Sequence, residues 1–175
     1  MPSFEPAIVA PDHPVLRSVA EPVAAFDADL RELAERMNAI RAAHGGVGIA
    51  APQVGVGLRL FVIDDRLPDG TRSERYGRRD VLPMVVANPE IVAAAETTVE
   101  GEEGCLSLPD TLGEDGGRRL VPRPEWIAWR GRSLDGTPMA GELRGFTARV
   151  FCHEADHLDG LLIDRFPVAT RTEAV

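Results

Sequence analysis

His153-Glu154-Ala155-Asp156-His157 contains two histidines four residues apart, with a glutamate between them. In a helix the two imidazoles lie about one turn apart on the same face, close enough to bind one metal ion. The carboxylate of Glu154 projects about 100° round the helix from His153, where it can act on a metal-activated water. The stretch therefore predicts a hydrolytic metal site on a helix, and the rest of the chain must supply a third ligand and an oxyanion donor.

The helix that carries this motif is expected to span residues 146–159, with Gly160 at its C-terminal cap. Phe146 and Val150 share the face of the two histidines, and further apolar residues lie on the opposite side. A helix that is apolar on two sides is typical of one that lines an active-site cleft.

A catalytic metal usually has three protein ligands and one water. The remaining histidines and cysteines are His13, His44, Cys105 and Cys152, beside many carboxylates. Cys152 projects about 100° away from His153 and cannot easily reach the same ion. Cys105 lies at a glycine-hinged strand end that can aim a thiolate at a distant helix, so we expect it to be the third ligand. A thiolate with two imidazoles suits Fe(II), Zn(II), Ni(II) or Co(II), and ligand type alone does not choose among them.

Composition indicates a globular protein. With 175 residues, of which 44% are apolar and 27% charged, the chain is expected to form one catalytic domain over residues 1–175. The net charge of −9 argues against general nucleic-acid binding, because phosphate contacts need a basic surface. No signal pattern opens the sequence, and no apolar run approaches the roughly 20 residues of a membrane span. Two cysteines make a poor disulfide framework. We therefore expect a cytoplasmic protein with reduced thiols.

The pattern along the chain predicts strands between two helices. Apolar spacing predicts an amphipathic helix over residues 27–43, capped by Asp27 and ended by Gly45 and Gly46. The glycine-rich segment 46–57 disfavours a regular helix and allows close approach of backbone to a ligand. Strands are predicted at 58–64, 81–86 and 91–95, then a hairpin of 126–130 with 139–143, and a short strand over residues 161–166 and beyond. Segments 66–80 and 112–124 are predicted to be loops. The class is therefore α+β.

Three motifs are similar to those of the peptide deformylase family. The family's G-x-G-x-A-A-x-Q motif resembles Gly46-Val47-Gly48-Ile49-Ala50-Ala51-Pro52-Gln53. Its E-G-C-L-S motif resembles Glu103-Gly104-Cys105-Leu106-Ser107, and its H-E-x-D-H-L-x-G motif resembles residues 153–160. The order matches, and the resemblance covers nearly the whole chain.

The resemblance implies an α+β fold with antiparallel sheets packed around a central C-terminal helix that bears the H-E-x-x-H motif, with a further N-terminal helix. It implies a hydrolase that removes the formyl group from the N-terminal formylmethionine of nascent polypeptides and releases formate. It also implies one divalent metal ion, most often Fe(II), with Ni(II) or Co(II) as active substitutes and Zn(II) often poorer.

Residue roles follow from the same resemblance. It implies Cys105, His153 and His157 as metal ligands. Glu154 is implied as the general acid and base, and Gln53 with the backbone N–H of Leu106 as oxyanion donors. The expected substrate pocket comprises Gly46, Val47, Gly48, Glu103, Gly104, Phe146 and Val150. Within that pocket, Val47, Phe146 and Val150 are expected to form an apolar slot for the methionine side chain.

Two carboxylates are expected to support the ligands from behind. Glu103 and Asp156 are suited to this role, because metal-bound imidazoles commonly donate their other N–H to a carboxylate. Asp156 is expected to pair with Arg123 or Arg149.

Two features depart from the family pattern. Cys152 stands where glutamine usually precedes the H-E pair, and segment 110–119 is longer and richer in glycine than expected. Either Arg118 or Arg119 in that segment could hold the substrate backbone.

Other functions stay open at this point. An H-E-x-x-H metallopeptidase is disfavoured because no histidine follows His157. A metal-binding module that recognises protein N-termini without catalysis is disfavoured by Glu154 and Gln53. Contact with the ribosome near the exit tunnel also stays open, since an acidic chain would need a local basic patch.

Overall fold

A computed structural model of the chain describes residues 7–72, 81–112 and 117–169. Its helices and strands are, in order, α1 (Ala28–Ala43), β1 (Gly48–Ala50), β2 (Leu60–Ile63), β3 (Met84–Ala94), β4 (Thr98–Glu103), β5 (Arg119–Pro124), β6 (Trp126–Arg132), β7 (Pro138–Arg144) and α2 (Gly145–Leu158). One antiparallel sheet has the order β1-β2-β3-β6-β7, and β4 pairs with β5 in a separate antiparallel sheet. The predicted α+β class, with antiparallel sheets around a C-terminal helix and a further N-terminal helix, is confirmed.

Helix α2 lies between the two sheets. It contacts β1, β2, β6 and β7 of the larger sheet and β5 of the smaller one. Phe151 projects from its core side, and its ring lies edge-on to that of Phe61, with centroids 4.9 Å apart. The helix ends as predicted, because Gly160 adopts a left-handed φ of 71° just past the last turn. The opposite face of α2, which carries the histidines, is therefore turned toward the small sheet.

Helix α1 begins and ends where the sequence predicts. The side chain of Asp27 accepts a hydrogen bond from the backbone N–H of Leu30 at 3.1 Å, and Gly45 follows the last turn with a φ of 65°. Its apolar face packs against β1 and β2. The buried members of that face are Leu30, Ala34, Met37 and Ile40. This packing supports the glycine-rich segment that follows the helix.

The prediction of two separate strands at 81–86 and 91–95 was wrong. A single strand, β3, runs through Asn88 and Pro89, and its pairing with β6 shifts register between Ala87 and Glu90. Asn88 has a φ of 50°, and its side chain bonds the backbone N–H and C=O of Val23. The irregularity therefore absorbs the Asn-Pro pair without ending the strand.

The prediction of a loop over 112–124 was also wrong, since β5 occupies its second half. Pro122 and Pro124 argue against a central strand, but a two-stranded sheet consists of two edges, where proline is tolerated. Residues 113–116 lie outside the described residues. The unusual length of the 110–119 loop therefore stays a prediction.

The segment that follows α2 contains a short turn. Residues Ile163–Arg165 form a 3₁₀ turn, and Val168 then forms an antiparallel bridge with Arg119 of β5. The short strand predicted over residues 161–166 and beyond is therefore present only as this bridge. Of the predicted loop at 66–80, residues 73–80 lie outside the described residues. The hairpin of β6 and β7 is confirmed, with Gly136 at its turn in the left-handed region.

Among the helices in the described part of the chain, none has the length and apolarity to cross a bilayer.

Candidate metal centre

The two imidazoles of α2 meet the thiol of Cys105. Ligand atoms of Cys105, His153 and His157 all lie within 4.8 Å of one another. The Sγ atom of Cys105 is 3.3 Å from Nε2 of His157, and the two rings have centroids 5.1 Å apart. Helix periodicity places the two rings on one face, and the end of β4 brings the sulfur to them. The spatial convergence that the sequence predicts is therefore present in the fold.

The turn after β4 holds Cys105 in place. Its backbone N–H donates to Oγ1 of Thr111 at 2.8 Å, and its carbonyl accepts from the backbone N–H of Leu108 at 2.9 Å. Thr111 also donates to the carbonyl of Leu108 at 2.7 Å, and its side chain is fully buried. Residues 105–111 thus form a tight turn that aims the thiol inward. No motif of the sequence indicated this role for Thr111.

Glu103 anchors His153 from behind. Its Oε2 atom lies 2.9 Å from Nδ1 of His153, which leaves Nε2 as the ligand atom of that ring. Arg123 donates to both oxygens of Glu103, each at 2.9 Å, and also to Asp156 at 2.7 Å. Burial acts to raise the pKa of Glu103, but the hydrogen bonds from His153 and Arg123 outweigh it and hold the pKa well below its usual value. Glu103 therefore stays ionised.

Asp156 pairs with Arg123, one of its two predicted partners, and with Arg165 at 2.9 Å. The other predicted partner, Arg149, instead donates to Glu103 at 2.9 Å. The pairs Arg123–Asp156 and Arg149–Glu103 tie α2 to the small sheet across the back of the candidate site.

Glu154 is buried beside the glycine-rich strand β1. A Cβ atom at position 48 would lie 2.1 Å from Oε1 of Glu154, so only glycine fits there. Its Oε2 atom is buried and has no hydrogen-bond partner among the described residues. Burial raises the pKa of Glu154 to about 7, with the charge of His153 acting in the opposite direction. A carboxyl group that titrates near neutral pH can both accept and deliver a proton.

Gln53 has a defined orientation in the same cleft. Its Oε1 atom accepts from the backbone N–H of Ala50 at 2.9 Å. Its Nε2 atom donates to Oγ of Ser107 at 3.1 Å and lies 3.8 Å from the sulfur of Cys105. The amide N–H groups are thus turned toward the thiol. Ser107 belongs to the motif around Cys105, but the sequence alone did not show that it holds this amide.

A cleft with about 490 Å³ of space opens over these side chains. Twelve of the predicted site residues line it: Gly46, Val47, Gly48, Gln53, Glu103, Gly104, Cys105, Leu106, Phe146, Val150, His153 and Glu154. His157 is buried beneath the cleft with 1% of its surface exposed. Two further lining residues, Glu102 and Arg149, had no place in the predicted pocket. Arg149 lies one helical turn before His153, and this spacing is the feature of the sequence that could have placed Arg149 in the cleft.

The donor set fits a single divalent ion. One sulfur and two imidazole nitrogens suit Fe(II), Zn(II), Ni(II) or Co(II). Burial holds the pKa of His157 well below its usual value, which favours the neutral ring that binds metal. For His153, burial acts to lower the pKa, but hydrogen bonds with Cys105 and Glu103 outweigh it and raise the pKa, so a metal ion would have to displace a proton from this ring. Cys152, in contrast, is buried in the apolar core around Phe151, where burial raises the pKa of its thiol to about 11. The prediction that Cys152 lies away from the ligand cluster agrees with this placement.

Comparisons with known proteins agree with the motifs and the fold. A family model described as polypeptide deformylase matches residues 6–171. The chain is 40% identical over 164 residues to a peptide deformylase of Parafrankia sp., covering 93% of this chain and 79% of the relative. It is 41% identical over 159 residues to the peptide deformylase of Thermotoga neapolitana, covering 90% of this chain and 85% of the relative.

Solved structures show the same similarity in three dimensions. The peptide deformylase of Thermotoga maritima superposes with a TM-score of 0.76 at 38% identity, covering 91% of this chain and 95% of that one. A peptide deformylase of Acinetobacter baumannii with Met-Ala-Ser bound gives a TM-score of 0.80 at 31% identity, covering 91% of this chain and 97% of the other. On this evidence from sequence and fold, the chain belongs to the polypeptide deformylase family.

Proposed function

We propose that this protein is a metal-dependent hydrolase that removes the formyl group from N-formylmethionyl peptides and releases formate. The observation that carries the proposal is the meeting of Cys105, His153 and His157 beside the buried carboxylate of Glu154. Family membership supports the same reaction, and a relative with Met-Ala-Ser bound supports a peptide that begins with methionine.

We propose that Cys105, His153 and His157 hold one metal ion, with Fe(II) as the physiological metal and Ni(II), Co(II) or Zn(II) as substitutes. Bound there, a divalent ion supplies Lewis acidity and lowers the pKa of a coordinated water. Because a thiolate and Fe(II) are both sensitive to oxygen and peroxide, the iron form is expected to lose activity in air.

The protein side chains move protons and stabilise charge. In this proposal Glu154 accepts a proton from the attacking water and delivers it to the leaving amine, a role that suits a pKa of about 7. Attack on the formyl carbonyl places negative charge on its oxygen. The amide of Gln53 and the backbone N–H of Leu106 would donate to that oxygen. The slot formed by Val47, Phe146 and Val150 would take the methionine side chain.

The proposed function is tested by formate release under anaerobic conditions. The Fe(II)- or Ni(II)-loaded protein is incubated with formyl-Met-Ala-Ser, with free Met-Ala-Ser and with a general protease substrate. Formate is expected from the first peptide alone. Internal cleavage of the protease substrate without formate release would instead support a metallopeptidase. Tight binding of Met-Ala-Ser without turnover of any substrate would support a binding module.

Gln53→Ala is expected to lower kcat by about 10²–10³-fold, because one oxyanion donor is removed. KM should change much less, since this donor acts mainly on charge that develops during the reaction. Steady-state kinetics with formyl-Met-Ala-Ser measures both constants. Ser107→Ala is the matched control: it keeps the amide but removes the oxygen 3.1 Å from it, so a smaller fall is expected. An equal effect of the two substitutions on kcat would contradict the donor role of Gln53.

The cellular setting is also a proposal. We propose that residues 1–175 act as one catalytic domain in the cytoplasm, on nascent chains near the ribosomal exit tunnel. The net charge of −9 means that any contact with ribosomal RNA must use a local basic patch. Co-sedimentation with ribosomes at low and physiological salt tests that contact, and absence of the protein from the pellet at both salt concentrations counts against it.

A further inference from the structure

Arg149 lines the cleft, and hydrogen bonds hold its side chain in place. The guanidinium donates to the carbonyls of Val99 at 2.6 Å and Val121 at 2.8 Å, and to Oε1 of Glu103 at 2.9 Å. Its Nη1 atom also lies 3.5 Å from the carbonyl of Gly101. Only 12% of the side chain is exposed. An arginine side chain usually has many accessible rotamers, but four acceptors here fix one conformation.

Gly101 makes the space that this guanidinium occupies. A Cβ atom at position 101 would lie 2.8 Å from Cζ of Arg149. Gly101 faces Val121 across the β4–β5 pair, so the guanidinium lies over the face of the small sheet where one side chain is missing. The glycine and the arginine are therefore complementary parts of one arrangement.

A second cavity, which we call the outer groove, adjoins the cleft. It has about 1320 Å³ of space, compared with about 490 Å³ in the cleft. Three side chains line both cavities: Glu102, Phe146 and Arg149. Glu102 is exposed, whereas Phe146 and Arg149 are partly buried. The cleft and the outer groove therefore share a wall, and Arg149 is the member of that wall that hydrogen bonds hold to the small sheet.

We propose that Arg149 determines specificity by forming a fixed partition that ends the slot for the first side chain of the substrate. This inference rests on the proposed function, because the slot of Val47, Phe146 and Val150 is assigned to that side chain. An unbranched side chain such as methionine stays on the cleft side of the partition. A larger side chain would have to displace the guanidinium, which would remove a donor from the carbonyls of Val99 and Val121 and one of the donors to Glu103. Without the guanidinium, the slot continues into the outer groove.

The test compares substrates that differ only at the first residue. The kcat/KM values of the Ni(II)-loaded protein are measured for formyl-Met-Ala-Ser and formyl-Trp-Ala-Ser. The ratio of the two values is used, because a uniform loss of activity or metal cancels in it. In Arg149→Ala the ratio of tryptophan to methionine substrate is expected to rise at least about tenfold, the size of effect that pocket shape can produce. In Arg149→Met, which keeps the length but loses the hydrogen bonds, the ratio should lie between those of the wild type and Arg149→Ala.

Three controls make the result decisive. Arg130→Ala removes an arginine that lies outside both cavities and pairs with Glu90 on the surface, and its ratio should equal that of the wild type. Calorimetric binding of Met-Ala-Ser and Trp-Ala-Ser gives a readout that does not depend on turnover. Thermal unfolding shows whether each variant is folded, and Arg149→Met carries the test if Arg149→Ala is not.

The proposal is overturned if the folded Arg149 variants keep the wild-type ratio in both kinetics and binding, or if Arg130→Ala changes it equally. Absence of formate release by the wild-type protein would instead contradict the proposed function. In that case, the ratio of the two binding constants still reports on the partition.

Discussion

Glu154→Ala is expected to retain the bound metal but to lose turnover, with kcat lowered by about 10²–10⁴-fold. The three ligand atoms are untouched by this change, so metal content should match that of the wild type. The catalytic loss follows because burial and a pKa of about 7 equip this carboxyl group for proton transfer. Metal analysis and single-turnover formate release, both under anaerobic conditions, measure the two parts of the prediction.

Glu154→Gln is the closest variant in shape, since it keeps the side-chain volume next to Gly48. It should lose activity as Glu154→Ala does, because an amide cannot accept the proton. Glu142→Ala, on the exposed face of β7, serves as a control for loss of a carboxylate and should keep full activity. If either Glu154 variant turns over substrate near the wild-type rate, the assignment of this residue as the acid and base is wrong.

Cys105→Ala is expected to abolish tight metal binding or to change the metal's geometry. Two imidazoles remain, and loss of a direct ligand should weaken binding by more than the 10–100-fold typical of an outer-shell change. Co(II) provides a direct measurement, because a thiolate ligand gives a charge-transfer absorption band. Titration of the apoprotein with Co(II) should show that band in the wild type, and Cys105→Ala should lack it.

Cys152→Ala is the matched control for this experiment. Both thiols are buried, but Cys152 is part of the apolar core around Phe151, while Cys105 lies beside the imidazole of His157. Cys152→Ala should therefore keep the absorption band and the Co(II) affinity. Loss of the band in Cys152→Ala, with its retention in Cys105→Ala, would reverse the ligand assignment.

The two long helices could be predicted from the sequence because their signals are local. The apolar spacing before Gly45 defines α1, and the histidine pair with Gly160 defines α2. Hairpin β6–β7 could also be predicted from the sequence, since Asp135-Gly136 is typical of a hairpin turn. In each case, residues within one or two turns of each other carry the information.

The errors occur where long-range pairing outweighs local signals. Asn88-Pro89 predicts the end of a strand, yet β3 pairs with β6 on both sides of this dipeptide and continues as one strand. Pro122 and Pro124 read as a loop, yet β4 pairs with that segment and makes it a strand. No residue close in sequence identifies either partner, so the pattern alone could not place them.

In the candidate site, too, some residues could be predicted from the sequence and others could not. The spacing of the histidines and the motif around Cys105 pointed to the ligands, although these segments are far apart in the chain. The roles of Thr111 and Arg149 were missed, because each depends on acceptors supplied by the folded turn or by the small sheet. Side chains that support a site through backbone carbonyls leave little trace in the sequence.

The residues that line the cleft include Gly46, Gly48 and Gly104, so part of its wall consists of residues that have no side chain. In the proposed reaction, a peptide lying along that wall would meet amide and carbonyl groups that every polypeptide can bond in the same way. Such contacts carry no information about the side chains that follow the first residue. The glycines that make room for the catalytic groups would thus also allow one enzyme to serve proteins whose beginnings differ widely.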